Sequence, residues 1–431
     1  MSSIRIARGM TNFEREPLVR PFGFKGGYMR EIWQVPVALE ATSGERVVAV
    51  STQNVLWSDP AVFASHDEPG ANALMYAMTE HAVRLAVGRD FETPIDLLEQ
   101  LLTPVWNYGK AIAGRDDLRL TFALNALVGL DAAAWKMYAK RHGCRTFDEM
   151  LPPRFRDVLA ARHRDVACIP LMAYGIPLED VSAYVRNGYF FLKVKIGSDP
   201  DHDGDREKML QWDMKRIEDI HRAVGGQTTP HTESGRIPYY FDANGRYDTR
   251  ERLERLLEHC RRIGAFDQIA IVEEPFPEES RIDVRGLGVR IAADESAHSD
   301  RDVTERIALG YGAVALKPIA KTLSMTLKMA EVAAQANLPM FCADLTVGPS
   351  QVDWNKNVAC RLPALPGLKV AVLETNGSQN YRRWGTLRSF FPTGFAPWTD
   401  VHDGCFNLSD DFYRTAGGIF LDSEHYDSLT Q

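Results

Sequence analysis

Apolar and polar positions along the chain fall into two textures. Residues 29–42 and 46–56 are rich in β-branched and aromatic side chains, and Ser43, Gly44 and Glu45 between them carry a turn signal, which predicts a hairpin. From Asn72 to about Val87 the apolar spacing turns helical. It is strongest over 119–141, where apolar residues recur at three- and four-residue steps before His142 and Gly143 end the helix.

After about residue 165 short apolar runs alternate with helical stretches. Eight runs stand out, at 166–174, 189–196, 239–243, 269–274, 290–295, 313–317, 339–344 and 369–374. Their hydrophobicity is continuous rather than alternating, as expected of parallel strands buried on both faces. Helical segments at 205–223, 249–263, 302–309 and 321–336 fit the crossovers between them. Eight such units predict an α/β fold, a (β/α)8 TIM-type barrel preceded by an α+β domain. An open doubly wound sheet is the competing fold, but no glycine-rich phosphate loop follows the early strands. The expected division is an N-terminal domain over 1–150, a barrel over 151–395 and a segment over 396–431 that returns to the first domain. The polar, turn-rich stretch 225–238 is an insertion.

Composition narrows the partners. A chain of 431 residues with 45% hydrophobic and 25% charged residues is long enough for a large core without staples. Net charge is −8, which offers no electrostatic reason to bind nucleic acid or an anionic membrane. A small anionic substrate remains compatible, because a bound divalent cation reverses the local field. The six cysteines are scattered and none forms a CxxC pair, as in a reducing compartment. No leader pattern opens the chain and no apolar stretch approaches a membrane span, so the expected location is cytoplasmic.

The candidate chemistry lies where the later strands end. Lys193 and Lys195 close the second run, Asp242 the third with Asn244 just after, and Glu273 and Glu274 the fourth. Asp294 and Glu295 close the fifth, Lys317 the sixth, Asp344 the seventh and Glu374 the eighth. In a barrel these ends share one face, the face where barrel enzymes do their chemistry. Burying one unpaired ion costs several kcal/mol, roughly, so a ring of them needs a compensating purpose. Isolated pairs of this kind are usually ordinary strand-end salt bridges, whereas an ordered series on five successive strands is not. Asp242, Glu273 and Asp294, on neighbouring strands, suit one Mg²⁺ per subunit, a hard cation that prefers oxygen ligands. Such an ion stabilises the charge left when a proton departs beside a substrate carboxylate. Lysine becomes a base when cations or burial depress its pKa, the setting expected here. Lys195 and Lys317, four strands apart, approach the barrel mouth from opposite sides. Asp344 and Glu374 are either substrate contacts or structural support, and Glu274 and Glu295 are read as supports of the metal ligands.

On the motifs KVK at 193–195, DAN at 242–244, VEEP at 272–275, ADES at 293–296 and ALKP at 315–318, the chain resembles the enolase superfamily. It looks most like the branch holding muconate-lactonizing enzymes, dipeptide epimerases and o-succinylbenzoate synthases. The helix at 126–143 is similar to that family's helix between cap and barrel. The resemblance implies that Lys195 is a catalytic acid/base, Lys193 its auxiliary and Lys317 the opposing base. It implies that Asp242, Glu273 and Asp294 hold the metal, and that barrels of this kind self-associate. It also implies a capping N-terminal domain with two mobile specificity loops, here near 20–30, with Phe24 and Lys25 as substrate contacts, and near 51–58.

The chain departs from the family pattern in three places. Lys195 and Asp242 lie 47 residues apart, because of the 225–238 insertion, which is expected to reach over the site or to a subunit contact. The run 341–346 lacks the histidine of mandelate-racemase-like members, and 373–377 lacks the paired aspartates of dipeptide epimerases. The expected activity is Mg²⁺-dependent α-proton abstraction from a small carboxylate through an enolate, in a racemase or epimerase. The alternative is a lyase, an acid-sugar dehydratase or a synthase of the o-succinylbenzoate kind. From other classes come a metal-binding barrel without turnover, and a Schiff-base aldolase, which needs no three carboxylates.

Overall fold

The computed structural model describes residues 3–24 and 27–431. Strands Ile4–Thr11, Glu14–Phe24, Gly27–Ala41, Arg46–Gln53 and Asp90–Phe91 form an antiparallel sheet in which the long Gly27–Ala41 strand pairs with three others. The predicted hairpin is present, with Val35 opposite Ser51. Two strands at 4–24 were not predicted. Their outward positions are charged and their inward ones few, with Ile4 and Ile6 the only buried residues of the first.

Helices Glu68–Ala86, Pro94–Ala113 and Leu120–His142 cover this sheet. Leu120–His142 is buried from Thr121 to Ala139, as befits a helix apolar on all sides. At Gly129 it lies so close to the sheet that a Cβ would stand 2.9 Å from a Val37 methyl. Its other face meets the barrel, where Trp135 Nε1 donates to Ser324 Oγ at 3.0 Å.

The barrel strands follow the eight predicted runs: Asp165–Ile169 with Leu171–Met172, then Leu192–Lys195, Tyr239–Asp242, Ile269–Glu273, Ile291–Ala293, Ala313–Leu316, Met340–Cys342 and Ala371–Glu374. Pro170, which has no N–H to give, splits the first strand into two short pieces. One piece pairs with the eighth strand and the other with the second, which closes the ring. All eight run parallel. Outer helices present one apolar stripe inward; Arg250–Arg262 buries Leu253, Leu256, Leu257 and Cys260 and is capped by Thr249.

The chain stays on the barrel sheet through Val401–His402 and Cys405–Asn407, which pair antiparallel beside the first strand. The chain meets the N-terminal domain both before this pair, where Tyr381 bridges to Leu18, and after it, where Lys136 Nζ on helix Leu120–His142 meets Asp422 at 2.6 Å and His425 Nε2 meets Glu14 at 2.8 Å. Among the described residues no helix is long and apolar enough to cross a membrane.

The 225–238 insertion does not reach over the site. It joins the end of helix Arg206–Val224 to the start of strand Tyr239–Asp242, and in a barrel such a connection lies at the strands' N-terminal end. There Thr232 bridges to Leu368, His231 O accepts from Lys369 N at 2.9 Å, and the His231 ring stacks on Phe190.

Candidate active site

Alternation along the strands decides which side chains enter the barrel mouth. Lys193 and Lys195 are two residues apart and point the same way, as do Tyr240 and Asp242. The register sets Lys193 beside Tyr240 and Lys195 beside Asp242, and then Asp242 beside Glu273. Lys195, Asp242 and Glu273 thus form a row across three strands. Asp294 continues it at the end of the fifth strand, and Lys317 follows the sixth. In a ring of eight, the second and sixth strands face each other, so Lys195 and Lys317 flank the row from opposite sides.

These charges are buried and paired. Lys193 Nζ lies 2.9 Å from Asp242 Oδ2, 3.0 Å from Glu273 Oε1 and 2.9 Å from Glu374 Oε2. Lys195 Nζ donates to Asp242 Oδ2 at 2.6 Å and to Asn244 Oδ1, with the Phe24 ring 5.5 Å away. Lys317 Nζ sits 2.6 Å from Asp294 Oδ2 under the Trp57 ring, whose centroid is 4.5 Å off. Three of the eight strand-end turns bend through positive φ at residues other than glycine: Asn244, Glu274 and Thr346.

Carboxylates dominate the electrostatics. Burial alone would lower Lys193, but Asp242, Glu273 and Glu374 outweigh it and hold its pKa well above the ordinary lysine value. Burial likewise opposes the charge of Lys317, and Asp294 outweighs it, again upward. Burial also works against ionisation of Asp242 and Asp294, yet the adjacent lysines keep both below the usual carboxylate range. Glu273 is pushed up to about 7, first by burial, which the Lys193 ammonium only partly offsets because the Asp294 and Glu295 carboxylates act in the same direction as burial.

Carboxylate oxygens of Glu273, Asp294 and Glu295 lie within 4.8 Å of one another, close enough to share a cation. Asp242, predicted as a ligand, falls outside this group: its Oδ2 is held by both Lys193 and Lys195, and the Lys193 ammonium bridges it to Glu273. Glu295, predicted as a support, therefore sits in the cluster itself, with Oε1 accepting from Asn244 Nδ2 at 2.8 Å. Glu274 supports from outside. Its Oε2 accepts from the backbone N–H of Asp294 at 2.8 Å and of Ser296 at 3.0 Å, and burial pushes its pKa up to about 8. An all-oxygen, fully buried donor set of this kind fits a hard divalent cation.

Asp344 is a turn brace. Its oxygens accept from the N–H groups of Leu345 at 2.7 Å, Val347 at 3.2 Å and Asn376 at 2.8 Å. Glu374 is the third partner of Lys193. Lys25 lies outside the described residues. The segment 51–58 is a buried strand end followed by helix Val55–Ser58, capped by Asn54, whose Nδ2 donates to Leu345 O at 2.7 Å.

Three site residues escaped sequence reasoning. Lys321 Nζ donates to Asp294 O at 2.7 Å; its signal was a second lysine one helical turn beyond Lys317. The Tyr240 hydroxyl donates to Glu273 Oε2, and its signal was the inward position two residues before Asp242. Trp57 lies in the segment 51–58 that the resemblance marks as a specificity loop, but its place over Lys317 follows only from how the N-terminal domain docks.

Comparison with known proteins places this geometry in context. Residues 178–410 match the family model described as Enolase C-terminal domain-like. An o-succinylbenzoate synthase from Bacillus subtilis (strain 168) is 22% identical over 310 residues, covering 69% of this chain and 70% of that protein. Among solved structures, an L-talarate dehydratase from Polaromonas sp. JS666, complexed with Mg and L-glucarate, superposes with a TM-score of 0.63 at 17% identity, covering 99% of this chain and 98% of that one. A dipeptide epimerase from Cytophaga hutchinsonii, complexed with Mg and D-Ala-L-Val, superposes with a TM-score of 0.60 at 15% identity, covering 88% of each chain.

Proposed function

The chain belongs to the Enolase C-terminal domain-like family, and from that premise we propose that it removes the proton beside a substrate carboxylate with Lys195 and Lys317, using Asp242, Glu273 and Asp294 to hold one Mg²⁺. It is an enolase-superfamily enzyme, an isomerase or a lyase. Within that range we assign it a racemase or epimerase activity. The observation that carries the assignment is the pair of buried lysines on opposing strands, each ammonium 2.6 Å from a proposed ligand, Lys195 from Asp242 and Lys317 from Asp294.

A bound Mg²⁺ would act as a Lewis acid toward the substrate carboxylate and would take over the carboxylates that the lysines now neutralise. The chain's own groups do the rest. Lys195 Nζ holds or takes a proton on one face of the α-carbon, and Lys317 Nζ on the other. With one amine neutral and the other protonated, the first accepts the α-proton, an enolate forms, and the second delivers a proton to the opposite face. Lys193, touching Glu273 and Glu374, keeps its charge and faces the substrate carboxylate as a fixed cation. Asn244 orients Lys195, and Glu274 fixes Asp294 through its backbone. Phe24 and Trp57 roof the two amines and exclude water.

Elimination is the second reading. It starts with the same abstraction and ends with loss of a β-group, and it is favoured by the likeness to a synthase and a dehydratase. Incubating small carboxylic acids with enzyme and Mg²⁺ in D₂O, with NMR at the α-carbon, tests both. Inversion with deuterium uptake supports the first reading, and an unsaturated product the second. Lys195→Ala and Lys317→Ala should each abolish exchange on one face. Unchanged exchange in both variants would remove the lysines from the mechanism.

A further inference from the structure

Two cavities meet at Lys195, and they differ in size and lining. The charged chamber, walled by Lys193, Asp242, Asp294 and Lys317, encloses only about 30 Å³, room for a water or two. The second cavity measures about 830 Å³, within the range of small-molecule sites. Phe22, Phe24, Leu171 and Lys195 line both, so the larger space is an antechamber opening onto the proposed base.

We infer that the substrate carries a bulky aromatic or branched apolar group, which lies in this antechamber on the Lys195 side. The inference rests on the proposed proton abstraction, since it is the reacting carboxylate that must sit in the small chamber. The walls are aromatic: besides the two phenylalanines they include Tyr28, Tyr174, Tyr184 and Tyr189. Tyr28 is 57% exposed, an unusual state for a large ring at a site mouth, and it offers its face to a ligand.

Several polar groups of the antechamber are committed already. Tyr174 OH donates to Ile196 O at 3.0 Å, and Tyr184 OH accepts from Gln379 Nε2 at 2.7 Å. Gln379 Oε1 accepts from Leu171 N at 3.2 Å, and Asn380 Nδ2 donates to Asn376 O at 2.8 Å. Apart from Lys195, the charged residues in the lining among the described residues are Arg20 and Asp180, both exposed. The chemistry that fits is a carboxylate head with an apolar tail.

The test compares acids that differ in the tail: lactate and alanine, 3-phenyllactate and phenylalanine, and glucarate. With Mg²⁺ in D₂O, the phenyl-bearing acids should exchange their α-proton at least tenfold faster, by kcat/KM, than the others. Ala173→Trp places a large side chain in the antechamber from an exposed position, and should lower the ratio of phenyl to methyl substrates at least tenfold. Fastest exchange on glucarate, or equal rates on lactate and 3-phenyllactate, would overturn the tail assignment and leave the proton chemistry standing. If no acid exchanges, the proton chemistry fails instead, and calorimetric binding then decides the tail alone. 3-Phenyllactate should bind at least tenfold more tightly than lactate with Mg²⁺ present, and equal binding overturns the inference.

Discussion

Asp213, on helix Arg206–Val224, accepts a hydrogen bond from the Gly197 backbone N–H at 2.7 Å, two residues beyond Lys195. The same carboxylate takes the Ser198 N–H at 3.4 Å and the Tyr247 hydroxyl at 2.7 Å. Tyr247 lies just past Asn244, which itself bonds Lys195. One buried side chain therefore ties together the turns that follow the second and third strands. Gly197 permits this with φ +83° and by lying against Arg246, where a Cβ would fall within 2.5 Å of a side-chain carbon.

Asp213→Asn should loosen Lys195 without touching Lys317. An amide can present its Nδ2 where Gly197 needs an acceptor, and one lost charged hydrogen bond costs about 1–3 kcal/mol. The expected result is a 10- to 100-fold fall in α-proton exchange on the Lys195 face, with exchange on the Lys317 face changed less than threefold. Stereospecific deuterium incorporation measures both. Equal loss on the two faces would make Asp213 a purely structural residue.

Lys193 offers a prediction of opposite sign for binding and turnover. Its ammonium neutralises Asp242, Glu273 and Glu374 together. Lys193→Met leaves Glu273 and Glu374 without their lysine partner and Asp242 with Lys195 alone, which destabilises the metal-free protein by about 3–5 kcal/mol. The same loss of positive charge should tighten Mg²⁺ binding by about tenfold while exchange falls by at least a hundredfold. Calorimetric titration of Mg²⁺ into parent and variant measures the first effect. Weaker Mg²⁺ binding in the variant would place the ion away from these carboxylates.

The sequence made the strand ends legible because charge at the end of a continuous apolar run has few explanations. The row from Lys195 through Asp242 and Glu273 to Asp294 could be read from spacing alone, since each member follows a run that is buried on both faces. Inward residues within the runs, such as Tyr240, were legible by period-two counting but looked like ordinary core. Phe24 was legible as a residue facing the site, but which lysines Phe24 and Trp57 cover was not, because that depends on how one sheet docks onto another. The place of the 225–238 insertion was legible in principle, since a helix-to-strand connection in a barrel falls at the end away from the chemistry.

Asp131 predicts a pH dependence of stability. It lies on helix Leu120–His142, with Oδ2 accepting from Ser324 N at 3.2 Å across to the barrel and Oδ1 buried without a partner. Burial pushes its pKa up to about 7, against about 3.9 when unfolded. The folded state thus holds a proton that the unfolded chain releases between about pH 4 and 7. Its stabilising contribution is present below about pH 4 and is lost as pH rises through 7, by a few kcal/mol at the order-of-magnitude level. Urea melts between pH 5 and 8 should show a smaller decline for Asp131→Asn than for the parent. Parallel curves would mean that Asp131 is ionised in the folded protein.

The insertion gives a prediction about independence. Thr228 bridges to Arg236 and Thr232 to Leu368, so the loop is clamped to the chain that leads into the eighth strand. Glu233 N adds a bond to Gly367 O at 2.9 Å. These contacts lie at the far end of the barrel from Lys195 and Lys317, and no charged chamber residue takes part in them. Replacing 229–235 with a short glycine-containing turn removes the Leu368 bridge and the His231 stack on Phe190, which should lower the melting temperature by several degrees. Exchange on both faces at 25 °C should stay within about twofold of the parent, because the barrel transmits the loss only through the start of the eighth strand. A drop beyond tenfold in a variant that still melts cooperatively would tie the loop to the mouth, through the eighth strand and Glu374 at its other end.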